Sequence, residues 1–270
     1  METPFNQANS RRDLLHPPLS GKTVMVVGLG GGAEIAMHLL RSGVSRFHLF
    51  DFDTLEAGNL VRHSCGVKYV GMNKAEAVSA NMSEYCGGSV ECLVHTANVF
   101  DDHAATLAAI VDSDVVVVAT DTDSSRFFLN DLCVETSTPA VFVSMFEKGK
   151  AGEVFAYRPG KGACFSCLMK HMGRGDMLET YEQTAEKAQC HLARDVRSMP
   201  GIGIDQSVYS ALAARKALDV LLEGGEHSLP PVGEAWNVFS LFGIPGVLDE
   251  HLSSIKQNLP SVPGCQCAAP

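Results

Sequence analysis

The run Thr23-Val24-Met25-Val26-Val27-Gly28-Leu29-Gly30-Gly31-Gly32-Ala33 decides the fold. Its first half is apolar and rich in β-branched residues, the composition of a short strand buried on both faces. Glycines follow at once, and residues 33–42 then read as a helix. Gly28, Gly30 and Ala33 satisfy the G-x-G-x-x-G/A spacing in its required setting, between a strand and a helix. Gly28 permits the tight turn, and Gly30, with Gly31 beside it, lets backbone N–H groups approach a phosphate. The helix that follows offers unpaired donors and the positive end of its dipole. The turn by itself does not choose between a dinucleotide and ATP.

Outward from this turn the pattern alternates. Residues 46–51 read as a second strand ending in Asp51, where a carboxylate can accept hydrogen bonds from ribose hydroxyls. Helix is expected at 74–85, 103–111 and 124–135, and strand at 90–95, 115–120 and 140–145. Strands alternating with helices imply right-handed crossovers and an α/β, doubly wound, mostly parallel sheet. From Gly149 the character changes: residues 153–157 and 236–242 suggest additional C-terminal strands, open to an antiparallel arrangement. Residues 172–199 are polar and read as a long mobile connection or a surface helix. A helix over 204–222 is expected to turn Val208, Ala211, Leu212, Leu218 and Leu222 to one side. No internal repeat is present.

The bulk properties narrow the function. The chain has 270 residues, 46% of them hydrophobic and 19% charged, enough for one large domain with a buried core. A formal charge of −10 argues against general affinity for nucleic acid or anionic membranes, though not against a local phosphate pocket. No stretch has the length of a membrane span, and the first fifteen or so residues lack the apolar segment of a signal peptide. Nine cysteines, an odd number in a chain too large to need staples, fit a reducing cytoplasm better than a disulfide framework. A cytoplasmic location is expected.

The residues after Asp51 separate the two nucleotide readings. The run Asp51-Phe52-Asp53-Thr54-Leu55-Glu56-Ala57-Gly58-Asn59-Leu60-Val61-Arg62 is not what a dehydrogenase needs after its ribose acid. It resembles the D-x-D-x-V-x-x-x-N-L-x-R signature of the ThiF/MoeB/HesA family, adenylating domains related to ubiquitin-activating enzymes. The likeness continues through Gly71-Met72-Asn73-Lys74-Ala75-Glu76 and Thr120-Asp121-Thr122-Asp123-Ser124-Ser125-Arg126, and spans about residues 21–167.

Adenylation makes a carboxylate attack the α-phosphorus and expel pyrophosphate, a step governed by charge on phosphate oxygens and by alignment. Arg62 and Lys74 are the cations for those oxygens, Asn59 can donate to one, and Asp121 ends a parallel strand where it can hold Mg²⁺. The resemblance implies the same roles at these positions, with Asp51 on the ribose. Asp53 matches a recurrent family position, with a pocket role and a turn or cap role both open. Three departures stand out: His63 replaces a frequent glutamine, Asn73 a frequent proline or glycine, and Gly32 the usual leucine. The family also draws an arginine from a partner's N-terminal segment; Arg11 and Arg12 lie in that region, without a matching motif.

The resemblance further implies an ATP·Mg²⁺-dependent adenylyltransferase acting as a homodimer on a small ubiquitin-like or sulfur-carrier protein ending in Gly-Gly. It implies an N-terminal segment at 1–20 and a single adenylation domain at 21–270, with the nucleotide-binding part at 21–148 and the carrier-binding part at 149–270. Cys164 and Cys167 stand where the family has the first half of a structural zinc site, and Cys265 and Cys267 where the second half is expected. Four thiolates can close a tetrahedral Zn²⁺ shell. A redox CxxC and unligated thiols are the alternatives. Cys190, flanked by His191 and Arg194, is a candidate to take over the activated acyl group. Competing functions are an NAD-dependent oxidoreductase, a non-catalytic nucleotide-binding scaffold, and adenylation of a peptide or tRNA-borne carboxylate.

Overall fold

The structure is a computed structural model and describes residues 11–146, 149–173, 202–244 and 248–268. Its centre is a sheet of eight strands in the order β3-β2-β1-β4-β5-β6-β7-β8. The strands are β1 (Thr23–Val27), β2 (Arg46–Phe50), β3 (Glu91–His95), β4 (Val115–Val118), β5 (Ala140–Phe146), β6 (Ala151–Tyr157), β7 (Trp236–Ser240) and β8 (Ser253–Gln257). Strands β1 to β5 pair in parallel, and β5 to β8 pair antiparallel.

The helices are α1 (Gly32–Arg41), α2 (Lys74–Cys86), α3 (His103–Val111), α4 (Asp123–Glu135), α5 (Phe165–His171) and α6 (Gly203–Leu221). Residues of α1, α2 and α6 share one core with the sheet, and residues of α3, α4 and α5 share the other. The alternation of side chains along a strand explains why β1 and β4 must be apolar throughout. Val24 and Val26 enter the first core and Met25 and Val27 the second, and Val115 to Val118 divide in the same way.

Helix α5 and strand β8 are additions to the expected elements. The polar face of α6 is a correction. Val208 and Ala211 are exposed and Leu212 is half-buried, while Gln206, Tyr209, Ser210, Ala213, Lys216, Ala217 and Asp219 are buried. The reason is that α6 buries polar groups against backbone that needs partners. Ser210 Oγ donates to the Gly31 carbonyl at 3.3 Å, Lys216 Nζ donates to the Gly233 and Glu234 carbonyls, and Asp219 accepts from Val232 N–H at 2.6 Å. Burial pushes the Lys216 ammonium down to about 8. Nearly all of the polar stretch 172–199, Cys190 included, lies outside the described residues.

Candidate functional site

The site forms where β1, β2 and β4 end, beside the point at which the chain leaves β1 for one side of the sheet and β4 for the other. Such a switch point leaves a crevice at the carboxyl ends of the strands. Gly28 has φ of +83°, and a Cβ there would lie 2.8 Å from the Ala119 carbonyl oxygen, so only glycine fits. Around Gly30 the space is open, which leaves the loop accessible to a ligand. Gly32 serves packing: a Cβ would meet Val26 Cγ1 at 3.0 Å and Ala119 Cβ at 3.3 Å, drawing α1 close to the sheet. Gly32→Leu, the residue more usual in the family this chain resembles, is expected to cost about 1–3 kcal/mol by overpacking. A chemical-denaturation midpoint unchanged from wild type would contradict that.

Asp51 closes the floor of the crevice. Its Oδ2 accepts from Leu29 N–H at 2.6 Å and its Oδ1 from Asp53 N–H at 2.9 Å. Burial pushes the carboxyl above its ordinary value, against the pull of Lys74 and the two N–H donors. Each oxygen keeps a lone pair for a ribose hydroxyl. Lys74 begins α2, and its Nζ pairs with Asp53 Oδ2 at 2.7 Å. Asp53 therefore holds Lys74, a role distinct from the turn or cap reading. Asn59 sits in a short 3-10 turn, Ala57–Val61, where its Oδ1 accepts from Glu56 N–H at 3.0 Å. Its amide NH₂ has no partner among the described residues.

Arg62 follows that turn. Its carbonyl accepts from Gln206 Nε2 at 2.9 Å, and its side chain lines a cavity of about 180 Å³ with Glu34, His63 and Ser207. Gly203 makes this docking possible, since a Cβ there would lie 2.9 Å from the Val61 carbonyl oxygen. Asp121 is exposed, one residue beyond Thr120, and its carboxylate has no partner among the described residues. Arg126 fixes the backbone there through Nε and Nη2 donating to the Thr120 carbonyl at 3.1 and 2.6 Å. Arg12 pairs with Asp13 and packs on Gly43, past the far end of α1 from the glycine loop. Ten residues of helix, about 15 Å, separate it from the phosphate loop of its own chain.

His63 was not among the expected site residues, yet it ties two loops together. Its Nε2 donates to the Leu29 carbonyl at 2.8 Å while Nδ1 accepts from Cys65 N–H at 3.1 Å, an arrangement open only to the neutral ring. Burial lowers its pKa below 6.5, Lys74 and Arg62 lower it further, and the Leu29 bond opposes them. The folded state therefore binds the proton less readily than the unfolded chain. The contribution to stability is complete above about pH 6.5 and is lost as pH falls toward the depressed value. Burial also lowers His38 and His95, so the difference between variants is diagnostic. His63→Gln is expected to lose less thermal stability than wild type between pH 7.5 and 5.5, by scanning calorimetry; parallel curves would contradict it.

The second constellation lies on the opposite core. The Sγ atoms of Cys164, Cys167, Cys265 and Cys267 all fall within 4.8 Å of one another. Three pairs are 3.4 to 3.6 Å apart. Tetrahedral Zn²⁺ with bonds of about 2.3 Å sets its sulfurs about 3.8 Å apart, so four thiols within 4.8 Å of one another fit that ion after small shifts. Val262 N–H donates to Cys167 Sγ at 3.2 Å, the kind of outer contact that steadies a thiolate. Asn130 holds the start of α5, accepting from Phe165 N–H at 2.8 Å and donating to Ser166 Oγ at 3.0 Å.

Comparison with known proteins places this geometry. The profile of the ThiF family matches residues 16–239. The chain is a ThiF family member. Curated relatives include "Adenylyltransferase and sulfurtransferase MOCS3" of Aedes aegypti, 33% identical over 152 residues, covering 56% of this chain and 34% of the relative. The Mus musculus protein of the same name is 32% identical over 154 residues, covering 56% and 32%. This ThiF chain thus spans about a third of the length of those relatives. Among solved structures, E. coli MccB with AMPCPP and MccA superposes with a TM-score of 0.68 at 20% identity, over 98% of this chain and 72% of that one. PaaA gives 0.68 at 16% identity, over 94% and 82%. These structures establish the shared fold. Among the described residues of the ThiF chain, no helix is long and apolar enough to cross a membrane.

Proposed function

We propose that this chain transfers the adenylyl group of ATP to a carboxylate, releasing pyrophosphate, and that the carboxylate is the C-terminus of a small ubiquitin-like or sulfur-carrier protein ending in Gly-Gly. The observation that supports the reading is a buried acid bonded to the glycine loop with two cations near it, Lys74 paired to Asp53 and Arg62 beside His63, while an exposed acid follows the end of β4. A carboxylate oxygen bonds to the α-phosphorus as the bond to the bridging oxygen breaks, and negative charge grows on the departing pyrophosphate. In this proposal Asp51 accepts from the ribose, Arg62 and Lys74 offset charge on the phosphate oxygens, and Asn59 donates to one of them. Asp121 would hold Mg²⁺, which would offset the negative charge of the phosphates. Binding of ATP would draw Lys74 from Asp53, and the ion pair keeps the ammonium in place beforehand.

ThiF membership and the MOCS3 relatives support adenylyl transfer over hydride transfer, for which Arg62, Lys74 and Asp121 would have no joint use. The carboxyl terminus of a short peptide is the second substrate class, motivated by MccB, whose solved complex contains MccA. A homodimer, the division into nucleotide-binding and carrier-binding parts, and a cytoplasmic location belong to the same proposal. So does acyl transfer to Cys190, which needs the adenylate first.

The test is exchange of labelled pyrophosphate into ATP with Mg²⁺, in the presence of Gly-Gly-ending carriers or short peptides. Exchange dependent on an added carrier supports the proposal. Exchange with peptides alone moves the substrate to the second class. NADH-dependent turnover with no exchange would overturn adenylation. Cys190→Ser is expected to exchange at the wild-type rate, because the thiol acts only after the adenylate forms.

A further inference from the structure

We infer that Asn73 is a positioning residue that fixes the ribose-binding acid and the phosphate-binding lysine at a set separation. The inference rests on the nucleotide reading above and assigns a role to a residue outside its proposed set. One carboxamide makes four hydrogen bonds at the junction of the two binding segments. Its Oδ1 accepts from Ala75 N–H at 2.8 Å and from Glu76 N–H at 3.4 Å, which caps α2. Its Nδ2 donates to the Asp51 carbonyl at 2.9 Å and to the Asp53 carbonyl at 3.2 Å.

The two halves of this group do different work. Capping satisfies the first N–H groups of α2, a task serine or aspartate performs equally well. Donation to the two carbonyls needs an NH₂ carried far enough from the backbone to bridge them, which serine lacks. The clasp is reinforced by Lys74 N–H donating to the Asp53 carbonyl at 2.8 Å and by Asp51 accepting from Asp53 N–H. Residues 51–53 therefore move with the start of α2. A nucleotide touching Asp51 at one end and Lys74 at the other gains from that fixed distance, because binding one part places the other. Proline or glycine here could begin the helix but could not supply the bridge.

The experiment compares wild type, Asn73→Ser and Asn73→Gly by calorimetric titration with three probes in Mg²⁺ buffer: ATP, adenosine and tripolyphosphate. Serine keeps the cap without adding charge but gives up the two Nδ2 bonds, so its thermal midpoint should fall slightly, and Asn73→Gly, which loses the cap as well, should melt lower still. In Asn73→Ser, ATP is expected to bind about tenfold more weakly while adenosine and tripolyphosphate change less than twofold. Equal weakening of all three probes would indicate local damage and overturn the inference. Unchanged ATP affinity in Asn73→Ser, with wild type binding ATP, would overturn it and leave the adenylation reading standing. A wild-type chain that binds no ATP would remove both.

Discussion

Asp121→Ala is expected to lower substrate-dependent pyrophosphate exchange by at least about a hundredfold, the loss of roughly 3 kcal/mol of transition-state stabilisation. The size follows from what the position does in the proposed mechanism. Its carboxylate is exposed beyond β4 and has no partner among the described residues, so its removal breaks no internal bond. The backbone around it is held by Arg126 on the Thr120 carbonyl, and Thr122 caps α4 through Ser125 N–H. The variant should therefore fold as wild type does, with the same melting profile. What it loses is the anionic ligand for Mg²⁺ beside the triphosphate. ATP affinity should fall far less than turnover, because Asp51, Arg62 and Lys74 remain. Exchange at the wild-type rate would refute the Mg²⁺ role, and a lowered melting temperature would reassign Asp121 to structure.

The contrast with Lys74 shows why the two residues must be tested differently. Lys74 is largely buried and paired with Asp53, so truncating it leaves Asp53 without its ammonium and beside the already buried Asp51. Loss of activity in a Lys74 variant mixes catalysis with local electrostatics. Asp121 avoids that ambiguity.

Much of the fold was legible because the central parallel strands β1 and β4 are buried on both faces. A strand such as Val115–Val118 has no polar position to confuse its reading, and the glycine turn has one structural meaning between strand and helix. Of the proposed acids and cations, Asp51 follows directly on β2 and Lys74 starts α2, while Arg62 follows a 3-10 turn and was readable only through the resemblance. The structure brings Asp51, Asp53, Arg62 and Lys74 together around Leu29 and His63, and sets Asp121 beyond the neighbouring strand end.

The rest was hidden by polar groups whose partners are distant in sequence. Ser210 meets Gly31 and Gln206 meets Arg62, so no local periodicity could announce that α6 buries that face. His63 and Asn73 were visible only as departures from a motif. Their functions depend on backbone carbonyls at Leu29, Asp51 and Asp53, and a carbonyl carries no residue signature. A histidine directly after Arg62, where the family often has glutamine, was the available signal. Strand β8 was missed because an edge strand with half-exposed side chains, Ser253–Gln257, has neither a continuous apolar run nor a clean alternation.

Removing zinc is expected to loosen the tail while leaving the nucleotide crevice folded. The purified chain should carry about one zinc per polypeptide, and Cys164→Ser should carry less than a tenth of that. Chelation, or that substitution, should cost several kcal/mol of stability, seen as a drop in melting temperature of about 5–10 °C. The argument is topological. Residues after β8 are held to the domain by a few hydrogen bonds, among them Ala163 N–H to the Leu259 carbonyl at 2.9 Å and His171 Nε2 with the Pro260 carbonyl at 2.9 Å. The four thiols join that tail to α5, and α5 is joined to α4 by Asn130. Without the ion, burial holds the Cys267 thiol up at about 11 and raises Cys164 further, while hydrogen bonds from the neighbouring cysteines outweigh burial at Cys265 and lower it. Without the ion the four thiols lose the bonds that join the tail to α5, and the segment from Leu259 onward should become open to protease. Cleavage there, with ATP binding retained, is the expected pattern. Unchanged melting and no metal in the wild-type chain would leave the cysteines as packed thiols, and inactivation by oxidation, reversed by dithiothreitol, would instead support the redox reading of Cys164 and Cys167.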